Sequence, residues 1–222
     1  MNENQANSKP LTILVVDDHQ LILKGTILTI KEQYPEAKVI SAQTAQETLE
    51  IVSIYHPDVV ILDLSLPEKL GMSAQIDTGI NLLQNLMQQD SNLNIMVQSS
   101  WVNSLVRLKH DIDNHQGGFT IADKSISTTE MLKMLDWSIQ GITHTKMLKT
   151  NLEFKPEWLE VLDLAFKQGL QDKAIASRMY KSPRMIRNYW TKIQDALEVY
   201  PQENQNMRAL TLIRAKEEGL ID

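Results

Sequence analysis

Three aspartates carry the first chemistry this sequence offers. Asp17 and Asp18 directly follow the apolar-rich run at 11–16, and Asp63 directly follows the Val-Val-Ile-Leu run at 59–62. Short apolar runs of this kind read as buried strands. If both lie in one parallel sheet their ends are neighbours, and three carboxylates converge at one edge. Close carboxylates repel one another unless a cation sits among them. Oxygen ligands suit Mg²⁺, which keeps several of its waters. Acidic residues also cap strands in exposed loops, the plainer reading for a single aspartate. An adjacent pair with a third at a second strand end favours a site.

The second group is basic. Residues 173–192 hold Lys173, Arg178, Lys181, Arg184, Arg187 and Lys192 and no acid, a charge of +6 in 20 residues. Ser182-Pro183 is a strong helix start, serine as N-cap and proline at the first helical position. From there Ile186, Trp190, Ile193 and Leu197 recur at i, i+4, i+7 and i+11. That apolar face leaves Arg184, Arg187, Asn188 and Thr191 on the opposite one. Arginine and asparagine can contact guanine and adenine edges bidentately. Most helices have a solvated polar face, but the acid-free stretch and a short preceding helix in helix-turn-helix arrangement favour DNA.

The elements that position these groups follow from periodicity. Strand-like runs at 11–16, 38–41, 59–62, 95–97 and 119–122 alternate with helix-like ones. The helices are marked by 21–30, by Ala45, Leu49 and Val52, by Leu82, Leu83, Leu86 and Met87, and by Met131, Leu132, Leu135 and Ile139. Repeated βα units imply a parallel sheet covered on both faces, with ligands at the carboxyl ends of its strands. Beyond a polar stretch at 142–153 no strand signal appears. Trp158, Val161, Leu162 and Ala165 form one helix face, stopped at Gly169. Ile175, Ala176 and Met179 mark a short second helix. The Ser182 helix runs to Leu197 with Pro201 as its stop, and a fourth spans about 207–218.

At 222 residues the chain is long enough for two domains. The expected organisation is a disordered tail at 1–10, an α/β domain at 11–141, a linker at 142–153 and a small all-α domain at 154–222. Apolar content of 42% and charged content of 23% suit a soluble globular protein. The absence of cysteine excludes disulfides, thiolate metal sites and cysteine catalysis. No apolar run approaches the roughly 20 residues of a membrane helix. The first ten residues lack the apolar core of a secretory signal, so the cytoplasm is the expected location and no membrane partner is expected. The net charge of −6 falls entirely on residues 1–149 and hides the local basic patch.

The stretch Leu14-Val15-Val16-Asp17-Asp18-His19-Gln20-Leu21, with Gly25 following, resembles the receiver domain of two-component response regulators. So does Pro57-Asp58-Val59-Val60-Ile61-Leu62-Asp63-Leu64-Ser65-Leu66-Pro67. The Asp-Asp-His opening looks like the NarL/FixJ subgroup. The resemblance implies a flavodoxin-like, doubly wound, five-stranded parallel sheet with Asp63 as phospho-acceptor. It implies Mg²⁺ as cofactor, held by the side chains of Asp17, Asp18 and Asp63 and by the backbone carbonyl of Ser65. Ser99 falls at the family's switch Ser/Thr, and Lys124 at the lysine that pairs with the phosphoryl group.

The segments 156–162, 169–176, 182–193 and Gly219-Leu220-Ile221 resemble a LuxR-type output domain, a four-helix helix-turn-helix fold. The Ser182 helix is then the recognition helix, with Lys173, Arg184, Arg187, Asn188, Tyr189, Thr191 and Lys192 as DNA contacts. Tyr189 stands where the family often has histidine, and Trp158 where it has glutamate. The implied protein is a phospho-accepting transcription regulator and not a turnover enzyme, beyond self-phosphorylation and autodephosphorylation. Its implied partners are duplex DNA, a sensor histidine kinase and a second copy of itself when active.

Three departures stand out. About eight extra residues separate Pro67 from the helix-leading Asp77-Thr78-Gly79-Ile80. Ile121 occupies the family's aromatic switch position, with Phe119 two residues further from Lys124. The stretch from Ser99 to Lys124 is a few residues longer than is usual in the family. The insertion and the missing aromatic also suit an atypical regulator, whose receiver is an unphosphorylated interaction or ligand-sensing module. A haloacid-dehalogenase-like phosphatase would want an acid two residues after Asp63, where Ser65 stands. His19, His56, His110, His115 and His144 lack supported metal-ligand spacing and read as loop or surface residues.

Overall fold

The computed structural model describes residues 10–146, 154–201 and 203–221. The expected tail up to Lys9 and most of the expected linker, 147–153, lie outside them. The chain forms two compact units, one from Met1–Val102 and Asp111–Thr145, the other from Asn103–His110 and Lys146–Asp222.

In the first unit five parallel strands alternate with helices. These are β1 Thr12–Val16, α1 Gln20–Gln33, β2 Lys38–Ala42, α2 Ala45–Tyr55, β3 Val59–Leu62, α3 Ile76–Gln89, β4 Asn94–Ser99, α4 Lys109–Asn114 (whose first two residues belong to the second unit), β5 Phe119–Asp123 and α5 Thr128–Ile139. The strand order β2-β1-β3-β4-β5 is the flavodoxin-like doubly wound sheet. Every residue of β1 and β3 is buried, as central strands covered on both faces require. The pairing of Val16 with Leu62 puts the next residues, Asp17 and Asp63, side by side at the carboxyl edge.

Local chemistry sets the helix starts. Thr44 accepts a bond from Glu47 N–H at the head of α2, and Ser127 with Glu130 forms a capping box on α5. The insertion between β3 and α3 is a short arch closed by an antiparallel bridge between Leu66 and Gln75. The Pro67 and Glu68 carbonyls accept from the Ala45 and Gln46 N–H groups, satisfying orphan donors of α2. Gly79 lies against the Leu64 backbone; a Cβ there would come within 2.0 Å of the Leu64 carbonyl oxygen.

From residue 154 on, the described residues of the second unit form four α-helices, α6 Pro156–Phe166, α7 Asp172–Arg178, α8 Pro183–Ala196 and α9 Met207–Glu217. Ile186, Trp190 and Ile193 of α8 enter a core with Val161, Leu162 and Ile175. Trp190 Nε1 and an Arg208 guanidinium nitrogen both donate to the same Asp172 oxygen, at 3.1 and 2.8 Å. Arg208 also stacks on the Trp190 ring at 3.3 Å, so α7, α8 and α9 are pinned at one point. The helix stop differs from expectation. α8 ends at Ala196 because Glu198 turns left-handed at φ +55°, three residues before Pro201.

The stretch 102–114 carried no expected element, and it folds as a 3₁₀ helix, Val102–Leu108, followed by α4. The buried apolar residues of the 3₁₀ helix, Val102, Leu105 and Leu108, are spaced by three, the period at which 3₁₀ side chains eclipse. Within the second unit Val106 packs on the core, and Arg107 Nε donates to the Gly219 carbonyl at 2.9 Å.

Candidate functional site

The expected acidic pocket assembles from strand ends. Asp17 and Asp63 are buried, Asp18 is half-buried, and with His19 they offer four ligand atoms within 4.8 Å of one another. Lys124, one residue past β5, reaches into the cluster. Its Nζ lies 2.7 Å from Asp17 Oδ2 and 2.7 Å from Asp63 Oδ2. The cation demanded by converging carboxylates is therefore supplied in part by the chain itself.

The electrostatics come from burial and contact. Burial raises the Asp17 carboxyl above its usual range, and hydrogen bonds from Lys124 and the His19 N–H only partly offset that. Burial pulls the Lys124 ammonium down, but its bonds to Asp17 and Asp63 outweigh this and leave it above its ordinary value. Ser65 N–H donates to Asp63 Oδ1 at 3.3 Å, so the loop after the strand folds back on that carboxylate. Asp18 Oδ1 is buried with no hydrogen bond, though His19 Nδ1 lies 2.7 Å away. An unsatisfied carboxylate oxygen beside two more carboxylates is a donor set that fits a hard divalent cation.

Ser99, at the end of β4, is fully buried. Its Oγ accepts from the Trp101 N–H at 3.2 Å, and its carbonyl from the Lys124 N–H at 3.3 Å. Ile121 is 1% exposed and pairs with Val97, filling the inner sheet position.

Two readings need correction. His19 is no ordinary loop residue, since its ring lies against the acidic cluster. His115 and His144 are half-buried rather than surface residues: a His115 ring nitrogen meets the Leu93 carbonyl at 2.7 Å, and His144 tilts on Trp137. Sequence reading also missed Gln43, whose Nε2 donates to the Asp18 carbonyl at 3.2 Å and steadies that loop. No spacing signal could have revealed it, because the contact joins two loops 25 residues apart.

In the second unit Lys173, Arg184, Arg187, Asn188, Thr191 and Lys192 are all exposed, while Tyr189 is half-buried against the core. Arg184, Arg187, Asn188 and Thr191 share the face of α8 opposite Ile186, Trp190 and Ile193. Thr191 Oγ1 donates to the Arg187 carbonyl at 3.2 Å, which engages its one proton. Among the described residues no carboxylate pairs with any of the basic side chains at 173, 184, 187 or 192.

A family model described as the response regulator receiver domain matches residues 13–136. The transcriptional regulatory protein DegU of Brevibacillus brevis is 35% identical over 78 residues, 35% of this chain and 32% of that protein. The chain thus aligns with about a third of DegU's length. The transcriptional regulatory protein YdfI of Bacillus subtilis (strain 168) is 26% identical over 220 residues, 94% of this chain and 97% of YdfI. Among solved structures, RcsB from Salmonella enterica serovar Typhimurium, bound to promoter rprA, superposes with a TM-score of 0.58 at 20% identity. That superposition covers 93% of this chain and 98% of RcsB, and it is a likeness of fold.

Proposed function

From the premise that this chain belongs to the response regulator receiver family, we propose that it is a two-component response regulator, phosphorylated on Asp63, that controls transcription by binding duplex DNA. The observation that carries the first half is the Lys124 ammonium held between Asp17 and Asp63. A carboxylate oxygen of Asp63 attacks the donor's phosphorus. The bond from phosphorus to the leaving group breaks, its electron pair departs with that group, and an acyl phosphate remains. Lys124 stays to pair with the new phosphoryl oxygens. Ser99 is assigned as the hydroxyl that hydrogen-bonds them.

Asp17, Asp18 and Asp63, with the Ser65 backbone carbonyl, are assigned as the holders of Mg²⁺. When bound, the ion neutralises charge on the transferring oxygens. The donor is a sensor histidine kinase, and the output is a population shift between two states rather than substrate turnover. The receiver is assigned to residues 11–141, the linker to 142–153 and the output domain to 154–222. The exposed α8 face and Lys173 form the DNA contact, with two copies of the chain pairing when active. No described helix is long and apolar enough to cross a membrane, and the assigned location is the cytoplasm.

Incubation with acetyl phosphate and Mg²⁺, read by intact mass, tests this reading. One phosphoryl adduct is expected in the wild type and none in Asp63→Asn. An adduct persisting in Asp63→Asn sinks the assignment. A wild type that takes no phosphoryl from any donor favours the atypical regulator, a reading to which the buried Ile121 lends its one structural support.

A further inference from the structure

We propose that Tyr180, in the turn between α7 and α8, is a further DNA contact, its phenol hydroxyl donating to a backbone phosphate beside the groove that α8 enters. The inference rests on the reading of α8 as the DNA-contacting helix. It starts from a side chain that strains the fold without serving it. Tyr180 sits at φ +54°, in the left-handed region. The turn itself is well made. The Lys181 N–H donates to the Ala176 carbonyl at 2.8 Å and the Tyr180 N–H to the Ser177 carbonyl at 3.3 Å, a helix ending whose left-handed residue is ordinarily glycine. After α6 and after α9 this unit does place glycine in that region, Gly169 at φ +67° and Gly219 at φ +70°. Asparagine, aspartate and histidine also tolerate it, but a bulky side chain is strained there.

Nothing local offsets that strain. Tyr180 is 96% exposed, and among the described residues its phenol has no hydrogen-bond partner. Tyr189, by contrast, packs on the core, and the Tyr34 hydroxyl bonds Asp136. A strained residue that the fold does not use points to a role outside the fold. The surroundings indicate the ligand. Tyr180 stands two residues ahead of Ser182, whose side chain caps α8. Residues 178–184 hold Arg178, Lys181 and Arg184, all exposed, and no acid. A recognition helix sets its N-terminal residues against base edges, so the chain just ahead of its N-cap passes the phosphates that wall the groove. Phosphate oxygens accept hydrogen bonds, and a phenol hydroxyl is a donor carried on a stiff ring. The three basic side chains hold the polyanion close, and Tyr180 adds a neutral, directional bond to it.

The test uses the full-length chain with acetyl phosphate and Mg²⁺, and fluorescein-labelled duplexes from two random pools, one rich in A·T and one in G·C, titrated over a range of salt. Tyr180→Phe removes only the hydroxyl. It is expected to weaken binding about tenfold per protomer, the low end for a hydrogen bond to a charged group, and equally on both pools. Its salt slope should match that of the wild type, because a neutral side chain releases no counterion. Tyr180→Gly should lose at least as much affinity yet unfold at the same urea concentration or a higher one, since glycine relieves the left-handed backbone. Wild-type affinity in Tyr180→Phe overturns the proposal. So does a loss confined to one pool, which marks base reading, or earlier unfolding of Tyr180→Gly, which marks a ring that holds the fold. A wild type that binds neither pool overturns instead the DNA reading of α8, and this inference with it.

Discussion

At the scale of single residues, the aspartates were legible because charge at the end of a buried strand is costly unless it has a purpose. Their partner was harder to derive. Lys124 lies 61 residues from Asp63, and only the strand order brings the two together. Tyr34 carried no signal. It ends α1, and its hydroxyl hydrogen-bonds the Asp136 carboxylate of α5. Burial, reinforced by that carboxylate, raises the phenol above its usual range. A pKa raised in the folded state means that the unfolded chain loses its proton first. The contribution of Tyr34 to stability is therefore full below about pH 10, the ordinary tyrosine value, and falls as pH climbs toward the folded value. Urea unfolding of Tyr34→Phe and wild type should show a gap at pH 8 that narrows by pH 11. A gap independent of pH would mean that the two side chains are not coupled.

At the scale of elements, the strands were readable to within a residue or two because central parallel strands are continuous apolar runs. The insertion was visible as a count of extra residues, but its form was not. It takes shape from the long-range bridge between Leu66 and Gln75 and from carbonyls that cap α2. The 3₁₀ stretch escapes periods of 2 and 3.6, because Val102, Leu105 and Leu108 repeat at three. The start of α3 was legible through Asp77-Thr78-Gly79-Ile80, and the structure explains the glycine. A methyl at residue 79 would strike the Leu64 backbone, next to Asp63 in the chain, and backbone cannot swing aside as a side chain can. Gly79→Ala is expected to cost about 3 kcal/mol, the upper range for overpacking. Denaturant titration checks this. A variant within about 0.5 kcal/mol of wild type, the range of neutral surface changes, would show that α3 can slide away from the phosphorylation loop.

At the scale of the whole molecule, the proposed DNA binding asks a chain of net charge −6 to approach a polyanion, which it can do only if its positive charge is concentrated. The six basic residues of 173–192 provide this, since Lys173, Arg178, Lys181, Arg184, Arg187 and Lys192 are all exposed. Asp172, the acid beside them, hydrogen-bonds Trp190 and Arg208, which engages its carboxylate away from the face proposed to meet DNA. If roughly three or four phosphates are neutralised per protomer, each protomer adds about −3 to the slope of log affinity against log salt. A pair of protomers on two half-sites about one DNA turn apart doubles that. The full-length chain is therefore expected to show a slope of roughly −3 without a phosphoryl donor and roughly −5 to −7 with acetyl phosphate and Mg²⁺. Arg187→Ala should make both shallower, because it removes one counterion-releasing contact per protomer. Equal slopes with and without the donor would mean that phosphorylation does not change how many protomers engage DNA. A slope near zero would show that the basic face of α8 is only solvated, and that transcriptional control, if the chain exerts it, runs through another surface.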